Sequence, residues 1–187
     1  MKQKFLDGHI ILHCGPMFSG KSSALINEIY KYSGLGLKCK VIKYKLDKRY
    51  DDDSLLCTHS NNKIKADIVG TDALNIDLYE KYDVIGIDEG QFFNKIVDFC
   101  DKLANMNKIV IVSALSSTFE RKPRKSISEL LAKADEVIYH YSYCQLCINN
   151  DKEKKAPFSK KIINSNKIID IGGKDKYIPV CRKCYDK

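Results

Sequence analysis

A short motif near the N-terminal end restricts the fold of this chain more than any other segment. Residues 15–22 run Gly-Pro-Met-Phe-Ser-Gly-Lys-Ser and match the phosphate-binding loop pattern G-x-x-x-x-G-K-[ST] at every fixed position. The apolar run at residues 9–14 predicts a buried strand before the motif. Apolar residues at helical spacing within 25–30 predict a helix after it. This order of strand, loop and helix predicts a nucleotide-binding α/β fold.

The residue types of this motif suit the binding of a polyphosphate. Gly15 and Gly20 let the backbone turn its N–H groups toward an anion, and the N-terminus of the following helix adds partial positive charge. Lys21 supplies a charge for the β- and γ-phosphates, and the hydroxyl of Ser22 can ligate Mg²⁺. We therefore predict that the phosphates of a nucleotide, together with Mg²⁺, bind to Gly15, Pro16, Met17, Phe18, Ser19, Gly20, Lys21 and Ser22.

Further apolar segments alternate between strand and helix patterns. Strands are predicted at residues 40–44, 64–69, 84–87, 109–115 and 137–143. Helices are predicted at residues 73–82, 92–103 and 126–134. The polar, basic residues 116–125 are expected to form a lid. The alternation predicts an α/β fold in which a P-loop parallel sheet is flanked by helices and binds ligands at the carboxyl edge of its strands.

Two acidic residues directly follow one of the predicted strands. Asp88, at the strand end, is expected to hold Mg²⁺ opposite Ser22. Glu89 is then free to accept a proton from an attacking hydroxyl. The alternative for Glu89 is that it only caps the helix predicted after it.

Arginines are scarce among the basic residues, so each is a candidate for a catalytic cation. Arg49 lies in an acidic loop just after a predicted strand, where a guanidinium could balance charge on the transferred phosphoryl group. A salt bridge to Asp47 or Asp51 is the alternative. Arg121 and Arg124, in the predicted lid, compete for the same role.

Two Cys-x-x-Cys pairs predict a metal site near the C-terminal end. Four thiolates form a closed tetrahedral zinc site with no position for water, so the metal is expected to stabilise a small ribbon rather than to catalyse. The alternatives are pairs that never meet, or redox use. We predict a nucleotide-binding domain at residues 1–143 and a zinc ribbon at 144–187, with the ligands Cys144, Cys147, Cys181 and Cys184.

Composition restricts the compartment and the partners. The net charge of +8 comes almost entirely from scattered lysines, which favours a solvated surface over a nucleic-acid interface. No apolar stretch reaches the about 20 residues that a membrane span needs, so no membrane partner is expected. The first residues do not have a signal-peptide pattern, and eight cysteines without one suggest thiols or metal ligands. A cytoplasmic location is therefore predicted.

Several segments combine into a pattern that is more specific than any single motif. They are the motif at 15–22, Val41-Ile42-Lys43-Tyr44, Asp47-Lys48-Arg49-Tyr50, Cys57-Thr58-His59, and residues 84–93, 118–123, 171–177 and 180–185. Together they resemble the thymidine kinases of the animal and poxvirus type, from about Gly8 to Tyr185.

The resemblance implies transfer of the γ-phosphate of ATP to the 5′-hydroxyl of thymidine, which gives thymidine monophosphate. It implies Glu89 as general base, Asp88 at Mg²⁺, and Lys21 and Arg49 at the phosphates. It also implies a homotetramer, feedback inhibition by thymidine triphosphate and a lasso loop between the cysteine pairs. Thymidine-binding positions implied by it are Met17, Phe92, Leu115, Phe119, Phe158, Ser159, Ile171, Gly172 and Tyr177.

Departures from the family pattern leave two alternatives open. Ser116-Ser117 stands where the family usually has Asp-Gly, and Arg124 replaces a usual phenylalanine near the base. These changes make a broader deoxynucleoside kinase the first alternative. The basic charge suggests the second, a zinc-ribbon protein that binds nucleic acid, which has no use for a base such as Glu89.

Overall fold

The computed structural model describes residues 7–45, 55–57, 63–148, 153–163, 172–173 and 175–186. The strands are β1 (His9–Gly15), β2 (Cys39–Tyr44), β3 (Leu55–Cys57), β4 (Lys63–Lys65), β5 (Asp67–Val69), β6 (Val84–Ile87), β7 (Ile109–Leu115), β8 (Glu136–Tyr139), β9 (Ser142–Tyr143), β10 (Lys155–Ala156), β11 (Phe158–Lys161) and β12 (Tyr177–Val180). The helices are α1 (Lys21–Gly34), α2 (Ile96–Asn105), α3 (Lys125–Leu131), α4 (Gln145–Ile148) and α5 (Arg182–Tyr185).

Six parallel strands form the central sheet in the spatial order β5-β2-β6-β7-β1-β8. β1, β6 and β7 are buried along almost their whole length, as strands covered on both faces must be. One face of the sheet packs on α1, and the other packs on α2 and α3. The predicted parallel sheet flanked by helices is confirmed.

Some predicted elements differ from those observed. Residues 73–82 contain a single 3₁₀ turn, Ile76–Leu78, and not the predicted helix. The Asn75 side chain accepts a hydrogen bond from the N–H of Asp77 at 3.1 Å, a local bond that competes with helical pairing. The helix predicted from residue 92 begins only at Ile96. The strand predicted at residues 64–69 is divided into β4 and β5. The strand predicted at residues 137–143 is divided into β8 and β9.

The C-terminal segment forms a small ribbon with its own core. β9 pairs with β10, and β11 pairs with β12, both antiparallel. Ala156, Ile178 and Val180 are buried against the four cysteines, in a cluster separate from the two cores of the central sheet. A domain boundary between residues 143 and 144 stays a prediction. None of the helices in the described ranges is long and apolar enough to span a bilayer.

Two histidines join β1 to the residue after β8. His13 Nδ1 lies 2.9 Å from His140 Nε2, a distance at which the neutral rings share one proton. Burial, and to a smaller extent the nearby His13 and Lys21, lower the pKa of His140 to about 4. Burial also lowers the pKa of His13, and Glu28 on α1 partly opposes this shift. The folded state therefore holds both rings neutral more strongly than the unfolded chain does.

This pair predicts a loss of stability in mild acid. Because the folded pKa of His140 is below its unfolded value of about 6.5, the unfolded chain binds more protons between those two pKa values. The free energy of unfolding is expected to be fully retained above pH about 6.5 and to fall as the pH approaches 4. Urea unfolding at several pH values would measure this. The fall should be smaller in His140→Gln and unchanged in the control His9→Gln; an equal fall in all three proteins contradicts the prediction.

Candidate active site and metal centre

The phosphate-binding motif lies at the carboxyl edge of the central sheet. β1 ends at Gly15 and α1 begins at Lys21, so residues 16–20 form the connecting loop. A Cβ atom at Gly15, where φ is +151°, would lie 2.3 Å from the carbonyl oxygen of His140, so only glycine is accommodated there. Gly20, with φ +83°, turns the chain into α1. The loop thus ends at a helix N-terminus, as anion binding requires.

Lys21 and Met17 show how this loop is held. The ammonium group of Lys21 donates to the carbonyl oxygen of Pro16 at 2.5 Å, so its charge lies within the loop. The N–H of Met17 donates to the hydroxyl oxygen of Ser159 at 2.9 Å. Because Ser159 is on β11, the ribbon contacts the phosphate-binding loop directly. Two predicted sets of residues, those for phosphate and those for nucleoside, therefore meet at Met17.

Asp88 joins the loop to the next two strands of the sheet. Its Oδ1 accepts a hydrogen bond from Ser22 Oγ at 2.9 Å and another from Ser113 Oγ. Ile87 pairs with Val112, so the next residues, Asp88 and Ser113, are neighbours across β6 and β7. A carboxylate and a hydroxyl in contact are the oxygen ligands that Mg²⁺ takes, so Ser22 and Asp88 fit the predicted metal role. In the sequence, the signal for Ser113 is a polar side chain within an otherwise apolar strand.

Glu89 has an unusual backbone and a fixed carboxylate. Its φ and ψ are 55° and 41°, a left-handed conformation that costs energy for a residue other than glycine and is found at functional sites. Its side chain does not cap the 3₁₀ turn that follows, so the capping alternative is not supported. Gln91 Nε2 donates to Glu89 Oε2 at 2.5 Å, and Gln91 Oε1 accepts from the N–H of Leu115 at 2.9 Å. No motif in the sequence predicts this bridging role of Gln91.

Aromatic side chains and Arg124 lie beside this acid pair. The ring of Phe92 stacks on Tyr44 with 4.7 Å between ring centroids. The guanidinium of Arg124 lies 5.9 Å from the Phe92 ring centroid. Burial lowers the pKa of Arg124, and Glu89 and Tyr177 raise it in opposition. The structure thus brings Phe92, Tyr177 and the general-base candidate around one partly buried cation.

Other predicted site residues have different surroundings. Phe119 and Tyr177 form a tilted ring pair at 6.3 Å between centroids. The ring of Phe158 packs against Tyr185 at 5.8 Å, within the ribbon. Gly172 lies against the aliphatic part of Lys176. Two predicted positions, Arg49 and Ile171, lie outside the described residues.

The two cysteine pairs meet in the ribbon. The four sulfur atoms lie within 4.8 Å of one another and are buried. Cys147 Sγ is 3.6 Å from Cys184 Sγ and 3.9 Å from Cys181 Sγ. A tetrahedral zinc ion with Zn–S bonds of about 2.3 Å places its sulfur ligands about 3.8 Å apart. The cluster therefore fits a four-thiolate zinc site, formed by Cys144, Cys147, Cys181 and Cys184.

Comparison with known proteins identifies the family. The flagellar accessory protein FlaH from Methanocaldococcus jannaschii aligns with a TM-score of 0.49 and 11% identity over 74% of this chain and 73% of that chain, which says nothing about activity.

Several proteins are much more similar to this chain in sequence than FlaH is. The thymidine kinase of Rabbit fibroma virus (strain Kasza) is 47% identical over 95% of this chain and 96% of the relative. The thymidine kinase of Choristoneura fumiferana entomopoxvirus is 42% identical over 92% and 94%. Thymidine kinase 1 of Dictyostelium discoideum is 43% identical over 96% and 78%. The family model "Thymidine kinase" matches residues 8–185. This chain therefore belongs to the thymidine kinase family.

Proposed function

We propose that the protein transfers the γ-phosphate of ATP to the 5′-hydroxyl of thymidine at the sheet edge formed by the phosphate-binding loop and the acid pair. Family membership makes it an ATP-dependent kinase that phosphorylates thymidine. The observation that carries the chemistry is the 2.9 Å hydrogen bond between Ser22 and Asp88. This bond joins the phosphate-binding loop to the segment directly after β6, which also carries the general-base candidate Glu89.

The phosphates are bound by the loop and its lysine. Backbone N–H groups at the end of the loop and at the start of α1 surround the anion, and Lys21 follows the charge of the β- and γ-phosphates. Ser22 and Asp88 would hold Mg²⁺, which would neutralise charge on the phosphate oxygens. Arg49 is proposed as a further cation at the transferred group. Lys21, Glu89 and Arg49 are thus the proposed catalytic residues.

Glu89 accepts the proton of the 5′-hydroxyl as that oxygen attacks the γ-phosphorus. The bond from Gln91 restricts the rotation of the carboxylate, and the bond from Leu115 to Gln91 fixes the amide in turn. A base held in one orientation loses less entropy on reaching the reactive geometry. Gln91 is therefore a positioning residue that acts through Glu89.

The nucleoside is proposed to lie between the end of β7 and the ribbon. Phe92, Phe119 and Tyr177 supply flat apolar faces for a pyrimidine. Residues that complete the proposed pocket are Met17, Leu115, Phe158, Ser159, Ile171 and Gly172. Arg124, close to Phe92 and Glu89, places a donor where an apolar wall is usual in the family. A donor favours acceptor oxygens of a base over its amino groups.

Three features of the whole protein complete the proposal. The four-cysteine cluster holds structural Zn²⁺. The protein forms a homotetramer and is inhibited by thymidine triphosphate, in line with its family membership. It acts in the cytoplasm, which is supported by the unpaired state of all seven cysteines whose side chains the structure describes.

Phosphate transfer to a set of nucleosides tests the proposed function. With labelled ATP, Mg²⁺ and zinc-replete protein, we expect kcat/KM for thymidine to exceed that for deoxycytidine by about 100-fold or more, since buried polar groups reject a mismatched base. Lys21→Ala is the control that should lose transfer to every acceptor. Equal use of deoxycytidine favours a broader deoxynucleoside kinase. Absence of transfer to any nucleoside contradicts the proposal.

A further inference from the structure

The segment after β7 folds as a small hairpin, residues 116–124, which we call the hairpin loop. Ser117 and Pro123 form an antiparallel bridge, and the N–H of Thr118 donates to the carbonyl oxygen of Lys122 at 2.9 Å. Arg121, near the tip, has φ +61°, a left-handed conformation that arginine rarely adopts. Contacts elsewhere must therefore favour this conformation of the tip.

Those contacts come from the last turn of the ribbon. The hydroxyl of Tyr185, at the end of α5, donates to the backbone carbonyl oxygen of Phe119. The guanidinium of Arg121 lies 4.1 Å from the centroid of the Tyr185 ring, and it pairs with Asp186 Oδ1 at 3.3 Å. Two consecutive ribbon residues thus hold both sides of the loop tip. The hydroxyl contact connects residues 66 positions apart in the sequence.

The residue held by this bond belongs to the proposed nucleoside pocket. The side chain of Phe119 lies beside Tyr177, and Lys161 Nζ lies 5.0 Å from its ring centroid. The bond from Tyr185 goes to the backbone of Phe119, so it sets the position of the ring without occupying the ring's face. Tyr185 also directly follows Cys184, one of the four clustered cysteines. The metal cluster and the pocket are therefore connected through a single side chain.

We infer that Tyr185 is a positioning residue for thymidine, because its hydroxyl holds the hairpin loop in the arrangement that places Phe119 against the nucleoside. The inference rests on the proposed function, in which Phe119 and Tyr177 bind the base. If the loop spends less time in this arrangement, the apparent dissociation constant rises in inverse proportion to the remaining fraction. ATP binds at the loop of residues 15–22 and is affected little. Tyr185 therefore affects the affinity for thymidine and not the affinity for ATP.

The variant Tyr185→Phe removes the hydroxyl and keeps the ring beneath Arg121. Loss of one such hydrogen bond is expected to raise both the dissociation constant and the KM for thymidine by about 3- to 10-fold. The KM for ATP, kcat and zinc content should stay within about 2-fold of the wild type, since the variant changes neither the phosphate-binding loop nor the cysteines. Thymidine binding is measured by equilibrium dialysis, which does not depend on turnover.

A matched control uses a second tyrosine whose hydroxyl also bonds to a distant backbone carbonyl. Tyr30 on α1 donates to the carbonyl oxygen of Lys63 at 2.8 Å, outside the proposed pocket. Tyr30→Phe is expected to leave both KM values unchanged. A third variant, Tyr185→Leu, also removes the ring and should raise the KM for thymidine further than Tyr185→Phe does.

The outcomes separate the two proposals. A selective rise for thymidine in Tyr185→Phe supports the inference. Wild-type affinity for thymidine in Tyr185→Phe overturns it, as does an equal rise in the KM for both substrates, which would indicate general loosening. If the wild type phosphorylates thymidine, either of these results leaves the proposed function intact. A wild type that does not bind or phosphorylate thymidine overturns the proposed function and the inference with it.

Discussion

Replacing Glu89 by glutamine is expected to lower kcat for thymidine phosphorylation by about 10²- to 10⁴-fold, the usual contribution of a general base. Glutamine has the same shape and can still accept the bond from Gln91, so the local structure should be retained. It cannot take the proton of the 5′-hydroxyl. Steady-state kinetics with both substrates, together with direct ATP binding, would measure the effect on kcat apart from binding.

The control for this variant is an exposed carboxylate. Within the described ranges, the only ion pair of Glu129 on α3 is one with Lys125 at 3.9 Å, and Glu129→Gln should keep wild-type kcat. The melting temperature of both variants should match the wild type. If Glu89→Gln keeps more than about a tenth of the wild-type kcat while the protein is folded, Glu89 does not act as the base.

Loss of the metal is expected to unfold the ribbon and abolish thymidine binding. Structural zinc contributes about 10–16 kcal/mol of apparent binding free energy in zinc-finger peptides, and the ribbon core here consists of a few apolar residues around the cysteines. Ser159, Tyr177 and Tyr185 would then lose their positions, and the bond from Met17 to Ser159 would break. The larger core of the central sheet should stay folded.

The protein is treated with a zinc-selective chelator, and Mg²⁺ is then restored. Zinc analysis measures the remaining metal, and equilibrium dialysis measures thymidine binding. Cys184→Ser should reproduce the effect of the chelator without chemical treatment. Cys39→Ser is the matched control, because Cys39 lies on β2, outside the cysteine cluster, and its thiol donates to the carbonyl oxygens of Ile29 and Leu37. Full thymidine binding by zinc-free protein would contradict a structural role of the metal in the site.

The roles of Gln91 and Ser113 could not be predicted from the sequence. The bond from Leu115 to Gln91 spans 24 residues, and that from Ser113 to Asp88 spans 25. Each depends on the register between β6 and β7, which no short motif specifies. The prediction of a helix at residues 73–82 was wrong for a related reason. Tyr79 is almost fully buried and contacts Phe99 on α2 edge to face, so tertiary packing overrode the local periodicity.

The family, the α/β fold class, the phosphate-binding loop, the acid pair and the cysteine pairs were all predictable from residue types and their order. The loop, the acid pair and the cysteine pairs each depend on residue types at short fixed spacings, because phosphate-binding loops, strand ends and Cys-x-x-Cys turns form locally. In contrast, the side chain that orients Glu89 and the bond by which Tyr185 holds Phe119 can be identified only in the folded protein. Those contacts join segments that are far apart in the chain, and their partners are selected by strand order and by the docking of the ribbon on the sheet.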